Sequence, residues 1–275
     1  MNISISQINL LRKKTGVGVI DCKNALIHSC GDIEKAIIFL RKKGKKIFHV
    51  KSNTEIKEGS ILSSVNSDCS IGTIVGISCE TDFLSRSVDF LKLLNKVSQE
   101  SLYFKGKDKT EFLKSKCKNG NSHHSIQDMI HDYLSIFKEK IELKIFEKRE
   151  GRFIANYTHN YKIATLLGFS SKLNHNIARD IAMHVTAMDP LFIKEKHASK
   201  ILIKNELEII KSQIKKEKKP ENILNKIIRG KLKKFLISNS LIHQYFIKNH
   251  KITIKDYLRN HDKNVLIRFF KRIKI

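Results

Sequence analysis

Glu58-Gly59-Ser60-Ile61-Leu62-Ser63-Ser64-Val65, a polar turn over 66–70, then Ile71-Gly72-Thr73-Ile74-Val75-Gly76-Ile77-Ser78-Cys79 is the stretch that decides the fold, because its pattern returns. The second copy reads Glu150-Gly151-Arg152-Phe153-Ile154-Ala155-Asn156-Tyr157, a polar turn over 158–160, then Tyr161-Lys162-Ile163-Ala164-Thr165-Leu166-Leu167-Gly168-Phe169-Ser170-Ser171. The step between copies is constant, since 150 − 58 = 92 and 168 − 76 = 92. Two apolar, β-branched runs around a polar turn spell a hairpin of two strands. Each hairpin is followed by helical spacing, from Phe83 to about Ser101 and from Asn176 to about Met188. Duplication of one α/β unit is the simplest account, so the core is expected as two similar subdomains.

Between the copies, residues 105 to 125 are polar and aperiodic, which reads as a surface loop. From Ile126 to about Phe146, Ile130, Leu134, Phe137 and Ile141 carry a helix that leads into a strand. His197 to Lys219 forms a long charged helix with Ile203, Leu207, Ile210 and Ile214 as a narrow seam of coiled-coil type. Pro220 stops it, and Leu224, Ile228, Leu232 and Phe235 start another. The pair is expected as an antiparallel hairpin projecting from the core. Residues 241 to 275 return to the core through a helix around Tyr257 and a strand from Val265 to Phe270.

Before the repeat lies a different pattern. Ser4 and Gln7 stand at capping-box spacing, with Ile8 and Leu11 on one face of the helix that follows. Thr15-Gly16-Val17-Gly18 breaks that helix. A second runs from about Val19 to His28 with Cys22, Ala25 and Leu26 inward. Gly31 suits its end and Asp32 the next start. The third buries Ile33, Ala36, Ile37 and Leu40 and finishes in Arg41-Lys42-Lys43-Gly44, cations at the negative helix end.

The fold class is therefore α+β: a small three-helix domain, a duplicated α/β core of two similar subdomains with β-hairpins and packed helices, and an inserted antiparallel helical hairpin. The expected divisions are 1–52 for the helical domain, 53–146 for the first core subdomain, 147–199 and 241–275 for the second, and 200–240 for the hairpin arm.

Of 275 residues, 53 are basic and 27 acidic, giving a net charge of +26. The basic residues spread along the whole chain, with modest clusters at 41–46, 211–219 and 231–234, and aromatics are only 8% with no Trp. No stacking platform for bases accompanies the charge, so nucleic acid is expected to adhere only non-specifically. An AT-rich genome would supply the same Lys, Ile and Asn. Five cysteines, Cys22, Cys30, Cys69, Cys79 and Cys117, include no Cys-x-x-Cys pair, which argues against a zinc site or disulfide framework. Cys22 and Cys79 sit in apolar segments and read as buried thiols. No basic segment followed by an apolar one opens the chain, and no uncharged apolar run reaches the ~20 residues that span a bilayer. A cytoplasmic protein without membrane contact is expected. No phosphate-binding glycine loop, nucleophile elbow or His-Glu-x-x-His is present, and His123-His124 falls in a polar loop, so the chain is expected to be no enzyme and to need no cofactor or metal.

The junction of the first copy with its helix reads Cys79-Glu80-Thr81-Asp82-Phe83-Leu84. Thr81 or Asp82 can cap the helix, and Phe83 follows the cap outside the face of Leu91, Leu94 and Val97. This segment is similar to the Thr-Asp-Phe-Val signature of the bacterial translation elongation factor Ts family, with Leu84 in place of valine. Residues 11–44 resemble the ubiquitin-associated-like N-terminal module of that family, and the doubled core and late helical arm agree with it. The run Asp180-Ile181-Ala182-Met183-His184-Val185 resembles the family's His-Ile-Ala-Met-His-Val, with Asp180 replacing the first histidine.

The resemblance implies a guanine-nucleotide exchange factor whose partner is the GTPase elongation factor Tu. It implies that Thr81, Asp82, Phe83 and Leu84 form a wedge that disturbs the partner's Mg²⁺ and phosphate site. It also implies partner contacts at Arg12, Val19, Ile20 and His184, and marks the arm as a candidate dimer contact. The family's small C-terminal helical module is expected to be missing, since the chain stops at Ile275. The rival expectation, drawn from charge alone, is a basic RNA-binding accessory protein of the translation apparatus.

Overall fold

A three-stranded sheet with apolar side chains on both faces has to be covered on both, and this requirement organises the larger part of the chain. The computed structural model describes residues 3–15, 17–42, 58–118, 125–137, 139–214 and 220–275. Gly16, Lys43 and Gly44, the His123-His124 loop, residues 215–219 and the side chains of Arg41, Lys42 and Leu134 lie outside the described residues. The fold mixes helix and sheet in the α+β manner. It divides into two compact units, residues 1–52 with 194–240 and residues 53–193 with 241–275.

The first unit is helical, with α1 (Ile5–Thr15), α2 (Val19–His28), α3 (Ile33–Lys42), α9 (Lys200–Ile214) and α10 (Glu221–Ser238), numbered in chain order. The start of α1 is fixed reciprocally: the Ser4 amide donates to Gln7 Oε1 (3.0 Å) and the Gln7 amide donates to Ser4 Oγ (3.2 Å). Gly31 adopts φ +84° and its N–H reaches the Leu26 carbonyl at 2.9 Å, which closes α2. Asp32 then caps α3 by accepting from the Lys35 amide. Ile8, Leu11, Cys22, Ala25, Leu26, Ala36 and Leu40 form the core of these three helices.

Helix α9 packs against both α3 and α10. It buries Glu206, Ile209, Ile210 and Ile214, while Ile203 and Leu207 of the expected seam are only half-buried. A helix touching two neighbours needs a wider apolar stripe than a coiled-coil seam gives. The hairpin thus shares a unit with the amino-terminal helices.

The second unit holds two sheets. Strands β1 (Gly59–Val65), β2 (Ile71–Ser78) and β3 (Glu142–Glu150) form one, in the order β1-β2-β3. Strands β4 (Phe153–His159), β5 (Ile163–Phe169) and β8 (Ile267–Lys274) form the other, in the order β4-β5-β8. All pairings within them are antiparallel. A short pair, β6 (Tyr245–Phe246) and β7 (Asn249–Thr253), stands beside α11 (Ile254–His261). The remaining helices are α4 (Asp82–Ser85), α5 (Val88–Tyr103), α6 (Lys109–Lys114), α7 (Ile126–Phe137) and α8 (His175–Met188).

The sheets press one face together through Ile61, Ile74 and Ile145 against Ile154, Ala164 and Leu166. A Cβ on Gly72 would stand 2.9 Å from methyl groups of Ile154 and Leu166, so glycine lets the sheets approach without displacing either side chain. Helix α5 covers the outer face of the first sheet and α8 that of the second.

The halves repeat in detail that sequence spacing did not carry. Both central strands slip register at the same place, between Gly76 and Ile77 against β3 and between Gly168 and Phe169 against β8. Both tie strand to helix by a buried hydroxyl pair: Ser101 Oγ donates to Thr73 Oγ1 (2.7 Å), and Thr186 Oγ1 donates to Thr165 Oγ1 (2.8 Å). The constant step of 92 does not hold throughout. Ile61 faces Gly76 and Ile154 faces Gly168, so the first strands are related by 93 (154 − 61 = 93) and the second by 92. One residue fewer in the second turn absorbs the difference.

Four boundaries differ from expectation. The helix expected from Phe83 to Ser101 is broken, because Ser87 turns extended and caps α5 afresh by accepting from the Phe90 amide. The expected loop at 105–125 contains α6, capped by Asp108 and anchored by Phe112, which stacks on Phe146 at 4.4 Å and lies 5.4 Å from Phe104. The helix expected to reach Phe146 ends at Phe137, and Ile141 is buried outside it on the way into β3. The last strand runs to Lys274 rather than Phe270.

Phe112 has no exposed surface, and truncation leaves a void between two rings. Phe112→Ala is expected to lower unfolding free energy by about 3–5 kcal/mol, read as a shift in urea midpoint with unchanged slope.

Candidate functional site

Strand β2 ends at Ser78, and Glu80, Thr81, Asp82 and Phe83 beyond it form an exposed tip between buried Cys79 and Leu84. The Cys79 N–H donates to the Glu58 carbonyl at 2.7 Å, so pairing persists one residue past the strand. Cys79 itself is buried, and its Sγ donates to the Thr81 carbonyl. Burial pushes its thiol up to about 11, which keeps it protonated and unreactive. Thr81 caps α4 by accepting from the Leu84 amide at 3.2 Å.

The four residues expected to form the wedge divide by direction. Phe83 is 86% exposed and Asp82 is exposed beside it, forming an ion pair with Arg86 at 3.4 Å. An exposed pair of this kind contributes little, so the carboxylate can be redirected at small cost. Leu84 points the other way, 8% exposed, into the cluster of Phe90, Leu93 and Leu94. Its place as a wedge contact is therefore corrected: a side chain enclosed by its own core is an anchor. Thr81 is likewise occupied, since its N–H and O–H both go to Glu139, at 3.1 and 2.7 Å. No sequence signal marked Glu139, which lies between α7 and β3 and meets the tip only in space.

In the helical unit, Thr15 Oγ1 donates to the Leu11 carbonyl and accepts from the Val17 amide, which fixes the turn into α2. That turn leaves Val19 46% and Ile20 78% exposed at the start of α2. Arg12 is exposed in the last turn of α1. An apolar pair presented to water is a surface suited to a protein partner.

His184 was expected on such a surface and is instead enclosed, with no exposed area. Its Nε2–H donates to Gln244 Oε1 (3.1 Å), and its Nδ1 accepts from the Ile247 amide (3.2 Å). Only a neutral imidazole satisfies both partners. The side chain bridges α8 to the segment before β7 and offers no exposed surface there. Burial pushes its pKa down to about 4. The folded state therefore excludes a proton that the unfolded chain binds from about pH 6.5 downward. Stability from this residue is complete above that pH and is lost as pH falls towards 4, a difference on the order of 3 kcal/mol. His184→Gln, which cannot titrate, is expected to flatten the stability profile between those values in chemical denaturation.

Among the described residues no group of three or more His, Cys, Asp and Glu is placed to hold a metal ion. No helix among them is long and apolar enough to cross a membrane. The five cysteines are unpaired, with Cys30 the exposed one.

The family whose description is Elongation factor TS matches residues 80–275. The elongation factor Ts of Christiangramia forsetii is 36% identical over 276 residues, covering 99% of this chain and 98% of the relative. That of Flavobacterium psychrophilum is 37% identical over 273 residues, covering 98% and 97%. That of Hydrogenobaculum sp. is 37% identical over 276 residues, covering 100% and 99%. An exposed aromatic tip on a doubled sheet, an exposed apolar pair on a helical module and relatives of one name that match over nearly their whole length agree: the chain belongs to the elongation factor Ts family.

Proposed function

We propose that this protein is the nucleotide-exchange factor for the GTPase elongation factor Tu, promoting GDP release so that GTP can load during polypeptide elongation. The observation that carries this reading is Phe83, an aromatic ring 86% exposed on a tip whose next residues are buried. A ring offered to water at that cost is spent usefully only in a partner's pocket.

In this reading Phe83 enters the partner between its helices, and Asp82 reorganises the polar groups around its Mg²⁺ and phosphate site. The GTPase holds nucleotide through phosphate contacts and the metal, so displacing either loosens GDP. Linkage then requires that nucleotide weaken the exchange factor by the same factor as the exchange factor weakens nucleotide. Arg12, Val19 and Ile20 serve affinity rather than displacement, and the three helices around them act as the family's ubiquitin-associated-like module. The two sheets with α5 and α8 are the doubled core of the family. Such a role belongs to the cytoplasm and involves no covalent chemistry.

His184 and Leu84 enter as supports. A dimer through the α9–α10 hairpin would have to use α10, which buries none of its residues, because Ile209, Ile210 and Ile214 of α9 are already covered. The RNA-binding alternative gains nothing, having only the spread of charge behind it.

Phe83→Ala is expected to slow fluorescent-GDP release at saturating exchange factor by at least about tenfold, the effect of losing roughly 1.4 kcal/mol of displacement. Its affinity for the nucleotide-free GTPase should fall much less. Stopped-flow release at wild-type rate would overturn the wedge.

A further inference from the structure

A helix of four residues cannot hold itself, because nucleation costs more than one turn returns. The position of α4 is therefore set from outside, and its two ends are held differently. At the C-terminal end, Leu84 is buried and Ser60 Oγ donates to the Ser85 carbonyl at 2.7 Å. Ser85 Oγ reaches back to the Asp82 carbonyl at 2.8 Å. These contacts come from the tip's own sheet and core.

At the N-terminal end the buried Cys79 thiol donates to the Thr81 carbonyl at 3.1 Å, and the Thr81 amide and hydroxyl are held by one carboxylate. Glu139 Oε2 accepts the Thr81 amide at 3.1 Å, and its Oε1 accepts the Thr81 hydroxyl at 2.7 Å. With its proton committed to Glu139, the Thr81 oxygen turns its lone pairs to the Leu84 amide, which it accepts at 3.2 Å. The carboxylate thus fixes the rotamer that makes Thr81 a cap, and hydrogen bonds to a charged acceptor are the stronger kind. Glu139 is carried on the approach to β3, and the Ser78–Glu142 pairing keeps that approach beside the end of β2. Its reach to Thr81 spans 58 residues of sequence.

We propose that Glu139 is a positioning residue for nucleotide exchange, holding Thr81 so that the Phe83 ring is presented at one fixed angle to the GTPase. The proposal rests on the reading that Phe83 acts on the partner's nucleotide site. Glu139 touches neither partner nor nucleotide in this role. It acts on the displacement step, because a ring that sways still binds but pushes less.

The test measures fluorescent-GDP release from elongation factor Tu across concentrations of full-length Glu139→Ala, Glu139→Gln, Thr81→Val and Phe83→Ala proteins. Glu139→Ala should lower the release rate at saturation roughly tenfold, the scale of one hydrogen bond to a charged group, with an unchanged half-saturating concentration. Glu139→Gln keeps one acceptor oxygen and should recover part of the rate. Thr81→Val, which deletes only the hydroxyl, should slow release similarly, and a protein carrying both Glu139→Ala and Thr81→Val should be no worse than the slower single one. Thr81→Val also carries the test should Glu139→Ala not fold. Normal release by Glu139→Ala beside slow release by Phe83→Ala overturns the positioning role and leaves the wedge standing. Normal release by Phe83→Ala overturns the wedge itself. A loss confined to half-saturation, or one that tracks a lower melting temperature without recovery in Glu139→Gln, assigns Glu139 to general stability and overturns the proposal.

Discussion

A side chain that touches nothing must be held by its neighbours, and the tip of this protein is built around that constraint. The Phe83 ring is surrounded by water, so beyond the Arg86 amide on its own carbonyl the restraints that aim it act through Thr81, Leu84 and Ser85. Two of these are driven inward by burial, and the third is gripped by a carboxylate from a distant segment. The arrangement converts stability of the first sheet into direction for one ring. A loosely packed sheet would leave the ring equally exposed but without aim.

That sheet is stable because it is sandwiched. One face meets the second sheet through a largely aliphatic layer, with Phe269 against it and Ser63 bonded to Thr158 and Asn156 across it, and the other meets α5. The paired hydroxyls Thr73–Ser101 and Thr165–Thr186 add direction to contacts that apolar packing alone leaves slippery. Their recurrence in both halves, with the register slips after Gly76 and Gly168, makes the repeat structural as well as compositional. His184 performs the corresponding service in the second half, where a neutral ring joins α8 to residues 244–247.

Much of this was legible in the sequence, for identifiable reasons. The helix limits of α2, the Ser4–Gln7 box and the turn at Gly31 follow from local chemistry that acts within a few residues. Strand pairs β1–β2 and β4–β5 follow from alternation and repetition. Features decided by distant contacts were not legible. Helix α6 was concealed by its polar surroundings, although Asp108 three residues before Glu111 has capping spacing and Phe112 is an apolar anchor. The break at Ser87 depends on one hydroxyl choosing a cap over a helical place. At the site, exposure of Phe83 was readable from its position after the cap, whereas the inward turns of Leu84 and His184 depend on which helix face meets the core. Glu139 was invisible because nothing local distinguishes it from any surface glutamate.

The bare ring of Phe83 also has a cost outside any complex. Between partners it is an adhesive spot, and two molecules meeting tip to tip could bury it against each other. A net charge of +26 opposes that encounter over the distance at which the surfaces first sense one another. The screening length is about 10 Å at 0.1 M salt and about 3 Å at 1 M, so the repulsion is itself a function of the medium. The excess of lysine, unremarkable as a ligand signature, thereby doubles as a colloidal safeguard for a molecule obliged to wear its stickiest residue outside.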